Sequence, residues 1–320
     1  MIPQLQFVVK TTGELTADDR SGMTSLFTRV FNRRFPADLY DRKYARSCLG
    51  ESLHCLALAD GAVVGSCSAI PVRYSFFGQT RLFAAIVDLM LAPEYRGPLK
   101  HVVTMTGKLF AATAARDCAF IFSCVRDEMR LFHEAVSRWR VIGQVRYYVA
   151  PVGARGAAAL RLAVGAWNAF RPRRAVAWQP EIEKINDAAF AAWRYGMFPV
   201  SYRRMDLDRG AKCVYTTELF YPIEALPASL RMGILLDVIP PEKASIEAAV
   251  DAIQRREREI DFLAYQGYLP FQPRNLLRVP ARFERKAWFL MGRILRGELV
   301  DNRIFDIAKW NINLSNGDLI

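Results

Sequence analysis

The sequence predicts an α+β fold: two similar domains in tandem, each a mixed, mostly antiparallel sheet flanked by helices. Three observations predict it. Short apolar runs of strand length alternate with amphipathic helical runs through residues 1–150. Asp60-Gly61 sits between two such runs, the signature of a tight hairpin. The second half then repeats the order of the first, Asp88-Leu89-Met90-Leu91-Ala92-Pro93-Glu94 being answered by Asp237-Val238-Ile239-Pro240-Pro241-Glu242.

Taken in order, residues 6–10 read as a first strand. Thr16-Ala17-Asp18-Asp19 offers a helix cap with an acidic first turn. Met23, Leu26, Phe27, Val30 and Phe31 follow at the spacing of one buried helical stripe, which Arg33, Arg34 and Pro36 end. Runs 53–59 and 62–72 flank Asp60-Gly61, and Phe76-Phe77-Gly78-Gln79 turns the chain into a third antiparallel strand at 82–91. A helix turning Val102, Met105, Leu109 and Ala112 inward leads to a strand at 119–124, a helix over 128–139 and a last strand at 143–149. One βαβ crossover therefore lies in an otherwise antiparallel sheet.

Residues 151–180 read as a linker. A small amphipathic helix over 157–170 presents Leu160, Val164 and Trp167 on one side and ends in Arg171-Pro172-Arg173-Arg174. Such a helix either packs between two domains or rests on an acidic membrane surface through 157–174. Residues 181–320 form the second domain. Ala191-Ala192-Trp193-Arg194-Tyr195 echoes Tyr40-Asp41-Arg42-Lys43-Tyr44, and Asp208-Arg209-Gly210 echoes Asp60-Gly61. A helix over 245–258 with Ile246, Ala249, Val250 and Ile253 on one face precedes a strand at 260–264.

The 320 residues are 52% hydrophobic and 24% charged, a composition that fits packed domains. The net charge of +12 favours anionic partners without choosing among them. The arginines are dispersed and no basic-aromatic RNA module or zinc finger appears, so nucleic acid is not expected. With six cysteines, none in C-x-x-C spacing, and three histidines, no metal site is expected, and buried thiols in a reducing cytosol fit best. The first residues lack the basic stretch and apolar core of a signal peptide, and no uncharged apolar run spans a bilayer. A cytoplasmic protein, at most peripheral at the inner membrane face, is the expectation. Gly107-Lys108-Leu109 does not complete a P-loop.

Chemistry concentrates at Tyr95-Arg96-Gly97-Pro98-Leu99-Lys100-His101, between a strand and a helix. Cations beside the N–H groups of a helix start suit a phosphate. The echo, Lys243-Ala244-Ser245-Ile246-Glu247, has one early cation and no glycine, and reads as a structural partner.

With its Asp60-Gly61 hairpin, Val64-Gly65, the strand 86–91 and Ala92-Pro93-Glu94-Tyr95-Arg96-Gly97, the first domain resembles the Gcn5-related N-acetyltransferase (GNAT) superfamily. The resemblance covers residues 5–150 directly and 180–320 more weakly, as a second, degenerate copy. Phe190-Ala191-Ala192-Trp193-Arg194-Tyr195, Pro199 and Tyr202 look like the second half of the tandem GNAT proteins of bacterial glycan and lipid biosynthesis. The resemblance implies an acyl-CoA-binding domain over 1–150, a linker over 151–180 and a degenerate GNAT-like domain over 181–320. It implies an acetyl-CoA or other acyl-CoA donor and transfer to a primary amine, for instance on an amino sugar or a glycan or lipid precursor, in a cleft between the domains. The pantetheine would run along Leu89, Met90 and Leu91, and the pyrophosphate would sit around Arg96, Gly97, Lys100 and His101. Leu99 and His101 replace two later glycines of the family pattern, and Pro98 has no N–H. An acyl carrier protein donor, or a non-catalytic module binding an anionic ligand or a partner protein, are therefore the alternatives.

Amine acylation needs a group to take the amine's proton and a proton for the thiolate. Asp88 borders the expected acceptor site, as a base or an ammonium orienter; its other reading is an outward polar strand residue. His133 has a suitable intrinsic pKa for a proton donor, and the competing reading is a surface helix histidine. Tyr147 and Tyr148 are alternative donors, one of which faces the cleft by alternation, and Tyr148 is taken here. Arg73, Tyr74, Arg194 and Tyr202 are candidates for a sugar-phosphate acceptor.

Overall fold

In a computed structural model, the described residues are 4–152, 178–196, 200–218, 231–280, 284 and 287–316. The expected linker helix and basic knot at 157–174, with their membrane contact, lie outside them. The chain divides into two compact units that interleave in sequence. Unit 1 is Met1–Gly143, Ile182–Phe198 and Phe289–Asp306; unit 2 is Gln144–Glu181, Pro199–Trp288 and Ile307–Ile320.

In unit 1, β1 (Gln6–Thr11), β2 (Leu53–Ala59), β3 (Ala62–Phe76) and β4 (Gln79–Leu91) lie side by side and antiparallel. Asp60-Gly61 and Phe77-Gly78 all have positive φ, the geometry of two-residue hairpins that keep the strands' twist. α1 (Ala17–Phe31) carries the expected capping box. The Thr16 hydroxyl accepts from the Asp19 N–H at 3.1 Å, and the Asp19 carboxylate accepts from the Thr16 N–H at 2.8 Å. A short α2 (Ala37–Tyr40) runs straight into a π-helical turn, Asp41–Ala45. After β4, α3 (Leu99–Ala114) crosses over to β5 (Cys118–Arg126), which lies parallel to β4. Met105 and Leu109 of α3 lock into the core with Cys55, Ala69, Ile86 and Ile121. α4 (Asp127–Ala135) is shorter than expected, because Arg138 enters the left-handed region and buries Trp139.

Unit 2 has the same plan. β8 (Tyr202–Asp206), β9 (Lys212–Thr216) and β10 (Met232–Ile239) are antiparallel neighbours, and α6 (Lys243–Arg256) crosses to β11 (Phe262–Gly267), parallel to β10. α6 buries Ile246, Ala249, Val250 and Ile253, the face expected from their spacing.

Two expectations are corrected. The strand placed at the end of the first domain, β6 (Arg140–Pro151), belongs from Gln144 onward to unit 2, where it pairs antiparallel with β11 from Pro151↔Phe262 to Arg146↔Gly267 and with the short β12 (Leu277–Arg278). The position beside β5 is taken by β13 (Trp288–Ile294), from the far end of the sequence. Gly292 makes that approach possible: a Cβ there would lie 2.3 Å from the Phe120 ring. The segment 191–195, expected to open the second domain, is instead part of unit 1. β7 (Ile182–Lys184) pairs with the end of β3, and α5 (Ala188–Arg194) follows it. Ladder hydrogen bonds, not nearness in sequence, decide both cases.

Candidate active site

β4 and β5 part company early. Their ladder ends at Ala85↔Phe122, while β4 continues to Leu91 and β5 to Arg126. Just past that point β4 bulges: Ser68 pairs with Val87 and Ser66 with Met90, so Asp88 and Leu89 together oppose Cys67. Asp88 takes φ +50°, an uncommon conformation for a residue with a side chain. Met90 and Leu91 send their side chains into the core and Leu89 is half-buried, so these residues offer backbone groups, not side chains, to anything lying along the open edge.

At the end of β4, Pro93–Tyr95 make one 3₁₀ turn and α3 begins with Pro98 as its N-cap, without a side-chain cap. The first N–H groups of the helix are thus left for water or a ligand. Arg96 is exposed; its Nε donates to the Leu91 carbonyl at 2.8 Å, which fixes the guanidinium beside the helix start. Gly97 and Lys100 are exposed too, and a Cβ on Gly97 would meet nothing within 4 Å. His101 departs from expectation. It is buried, its N–H bonds the Pro98 carbonyl and its Nδ1 lies 3.1 Å from the Tyr95 carbonyl, so it staples the turn from inside.

Asp88 is the centre of a buried polar cluster. Lys43 Nζ donates to its Oδ2 at 2.8 Å and the Tyr44 hydroxyl donates to the same oxygen. Both donors come from the π-helical turn, a local irregularity common at functional sites. Oδ1 takes no donor from the described residues. Behind this cluster His54 bridges the Ser68 hydroxyl (2.8 Å) and the Thr12 hydroxyl (3.0 Å) and meets the Tyr44 ring edge-on at 4.8 Å. Burial, helped by the Lys43 charge, pulls the His54 imidazole down to about 3, so it is neutral at physiological pH. A small pocket opens on Asp88, walled by Met23, Phe27, Phe35, Tyr40, Tyr44 and Met90, with room for about one water-sized group. A wider hollow, between α1 and the 61–64 hairpin, is lined by Asp18, Gly22 and Arg29 and shares no residue with this cluster.

The remaining expected site residues are dispersed. His133 is buried, not on the surface; it stacks on Trp139 (5.0 Å, 29°), and burial alone pulls it down to about 4. Tyr148 sits in the core of unit 2, where burial lifts its hydroxyl to about 12. Tyr74 is wholly buried, stacked on Phe83. These three are core residues. Arg73 is exposed and paired with Asp187 at 2.8 Å. Arg194 is buried in unit 1, and Tyr202 is half-buried on an edge strand of unit 2.

Lys43, Tyr44, Tyr40 and His54 were not expected at the site. The signal was the echo itself: Tyr40-Asp41-Arg42-Lys43-Tyr44 stood out as a recurring segment, without a role. Among the described residues no group of three or more His, Cys, Asp and Glu gathers to hold a metal, and no helix is long and apolar enough to cross a membrane.

Residues 12–122 match the family model of an acetyltransferase (GNAT) domain. Solved structures share the fold over most of the chain. A conserved protein of unknown function from Enterococcus faecalis V583, described as a probable N-acyltransferase, is 11% identical, with TM-score 0.59 over 91% of this chain and 73% of that one. A GCN5-related N-acetyltransferase from Anabaena variabilis is 12% identical, with TM-score 0.58 over 90% and 73%. Eis1 from Mycobacterium abscessus is 14% identical, with TM-score 0.53 over 92% and 75%. No curated protein matches the sequence. The matched residues lie in unit 1, and the chain as a whole has the helix-flanked, mixed-sheet α+β fold of these structures.

Proposed function

We propose that the protein is an N-acyltransferase that passes an acyl group from an acyl-CoA to a primary amine. The observation that carries this reading is the donor end: Arg96 and Lys100 flank an uncapped helix start beside an open strand edge. The pantetheine lies along the backbone of Leu89, Met90 and Leu91. The pyrophosphate takes the N–H groups at the start of α3 and the charges of Arg96 and Lys100. Asp88 Oδ1 faces the acceptor. One proton of the ammonium passes to Asp88, and the neutral nitrogen attacks the thioester carbonyl carbon. The C–N bond forms and the C–S bond breaks; a second proton leaves nitrogen for the thiolate, giving an amide and free CoA. Amino sugars and lipid- or glycan-linked amines are the acceptors to screen first.

Calorimetric titration with acetyl-CoA tests the reading. Wild type should bind and Arg96→Glu should not; a wild type that binds neither acetyl-CoA nor a longer acyl-CoA sinks it. A second reading, an acyl carrier protein as donor, is favoured by the turn itself. Pro98 has no N–H and His101 spends its own on Pro98, so a pyrophosphate finds few donors, while exposed Leu99 and Val103 beside Lys100 suit a protein surface. Transfer from an acylated carrier but not from acetyl-CoA would select it.

A further inference from the structure

Lys43 and Asp88 form an ion pair at 2.8 Å whose side chains are only 4% and 10% exposed. Taking two charges out of water offsets most of their attraction, so such a pair adds little net stability; fixing one register against another is the use it serves best. The register at stake is that of β4. Up to Val87 the strand runs in step with β3; beyond Asp88 it is one residue out of step, and the Ala92 N–H carries the shift on, donating to the Val64 carbonyl at 2.8 Å. In an unbroken ladder Asp88 would oppose Cys67 and share its face of the sheet, the apolar core of Cys55, Met105 and Leu109. In the bulge, at φ +50°, the carboxylate instead reaches Lys43 and the Tyr44 hydroxyl. Tyr44 meets His54, and His54 bonds Ser68, which neighbours Cys67 and so takes the opposite face. The π-helical turn that carries both donors is itself anchored, the Trp193 indole donating to the Lys43 carbonyl at 3.1 Å.

We propose that Lys43 is a positioning residue for the open edge of β4. Through Asp88 it holds the bulge, and the bulge selects which backbone groups of Leu89, Met90 and Leu91 face outward. In an antiparallel ladder, residues alternate between turning N–H and C=O to the partner strand and turning them away from it, so a one-residue slip exchanges the two sets. Without the ion pair β4 runs on in step, Ser66 opposes Leu89, and the edge offers the neighbouring residues' groups instead. The inference rests on the acyltransferase reading for what lies along that edge; the register itself is read without a ligand.

The test compares wild type with Lys43→Met, Asp88→Asn and the double variant. Asparagine keeps aspartate's tolerance of the left-handed region, so the backbone preference at position 88 stays while the ion pair goes. Cross-strand nuclear Overhauser contacts read the register: wild type should connect Ser66 with Met90, and the double variant Ser66 with Leu89. Each single change leaves a buried charge without its partner and should melt lower than wild type; the double variant, with neither charge, should melt above both singles. In calorimetry the double variant should bind acetyl-CoA roughly tenfold or more weakly than wild type, although neither changed side chain belongs to the 95–100 turn. A double variant that keeps the Ser66–Met90 contact overturns the assignment. So does one that loses the contact with acetyl-CoA affinity unchanged, or one that melts below both singles. If wild type binds no acyl-CoA the acyltransferase reading falls, while a shifted Ser66 contact in the double variant still upholds the clamp and an unshifted one still overturns it.

Discussion

Both sheets interrupt the strand before the crossover helix with a bulge at an aspartate. In unit 1 the bulge holds Asp88; in unit 2 the register of β10 against β9 slips between Leu235 and Asp237. The two aspartates live differently. Asp88 borders a small pocket, and the donors to its Oδ2, Lys43 and Tyr44, come from a π-helical turn. Asp237 is wholly buried, and its Oδ1 accepts from the Asn313 side-chain amide at 2.9 Å and from the Val238 N–H at 3.1 Å. Asn313 is held in turn, its Oδ1 accepting from the Ser315 N–H at 3.0 Å and its own N–H donating to Asn316 Oδ1 at 2.9 Å. In unit 2 an amide and a backbone N–H hold the acid, where in unit 1 a lysine and a tyrosine do. The same backbone device borders a small pocket in unit 1 and sits in a buried hydrogen-bonded knot in unit 2, and the groups that reach each acid separate them.

The largest expected effect breaks that contrast directly. Asp88→Asn should lower acyl transfer by about 100-fold or more, and should also lower the melting temperature because the buried Lys43 ammonium loses its carboxylate. Asp237→Asn should leave transfer near wild type and cost about 1–3 kcal/mol in urea unfolding, because an amide cannot accept as the carboxylate does. If both substitutions cost activity equally, the division of labour is wrong.

Charge reversal at the two helix starts comes next. Arg96→Glu should weaken acetyl-CoA by roughly 10- to 100-fold in calorimetry, and Lys243→Glu at the start of α6 should leave it unchanged.

A pH effect should also tell the units apart, because all three histidines lie in unit 1. His133 is held near 4 by burial, well below its ordinary 6.5. Between those values the unfolded chain takes a proton that the folded chain refuses, so stability falls as pH drops from 6.5 toward 4 and levels off for this group below that. The loss amounts to about 3 kcal/mol, and His133→Gln should flatten that part of a urea-midpoint-against-pH curve. An unchanged slope would mean that His133 titrates normally in the fold.

The smallest effect concerns the caps. Neither Pro98 nor Glu242 caps its helix through a side chain. Pro98→Asp and Glu242→Asp should each add about 0.5–1 kcal/mol of thermal stability, but only Pro98→Asp should weaken acetyl-CoA, by placing a carboxylate at the proposed pyrophosphate site.

The fold was legible where local chemistry repeats. The Asp60-Gly61 hairpin, the stripe of α1 with its Thr16 cap and the face of α6 all follow from side-chain periods of two or 3.6 and from turn residues. The exposed strand-to-helix turn at 95–100 was legible because cations and a glycine stood at that junction. What escaped was long-range. Nothing within β6 says that it will pair with β11, and nothing in β13 says that it will lie beside β5, since a strand's partner is set by ladders formed across more than a hundred residues. The π-helical turn also escaped, because one extra residue in a helical turn leaves no period to read. That turn is why Asp88 was found and its partners Lys43 and Tyr44 were not.

The interleaving of unit 1 has a consequence for how the protein is made. Its last strand, β13, ends at Ile294, and α5, whose Trp193 indole donates to the Lys43 carbonyl behind the Asp88 cluster, lies 150 residues downstream of Lys43. The residues of the candidate site leave the ribosome early, yet the sheet that holds them cannot close until β13 has followed. At ~5–20 residues per second, synthesis from residue 88 to 294 takes roughly 10–40 seconds, during which the open edge of β5 is uncovered. For the first third of this chain birth order and folding order are decoupled, and the nascent protein's exposure to chaperones and to premature strand pairing lasts until β13 has emerged.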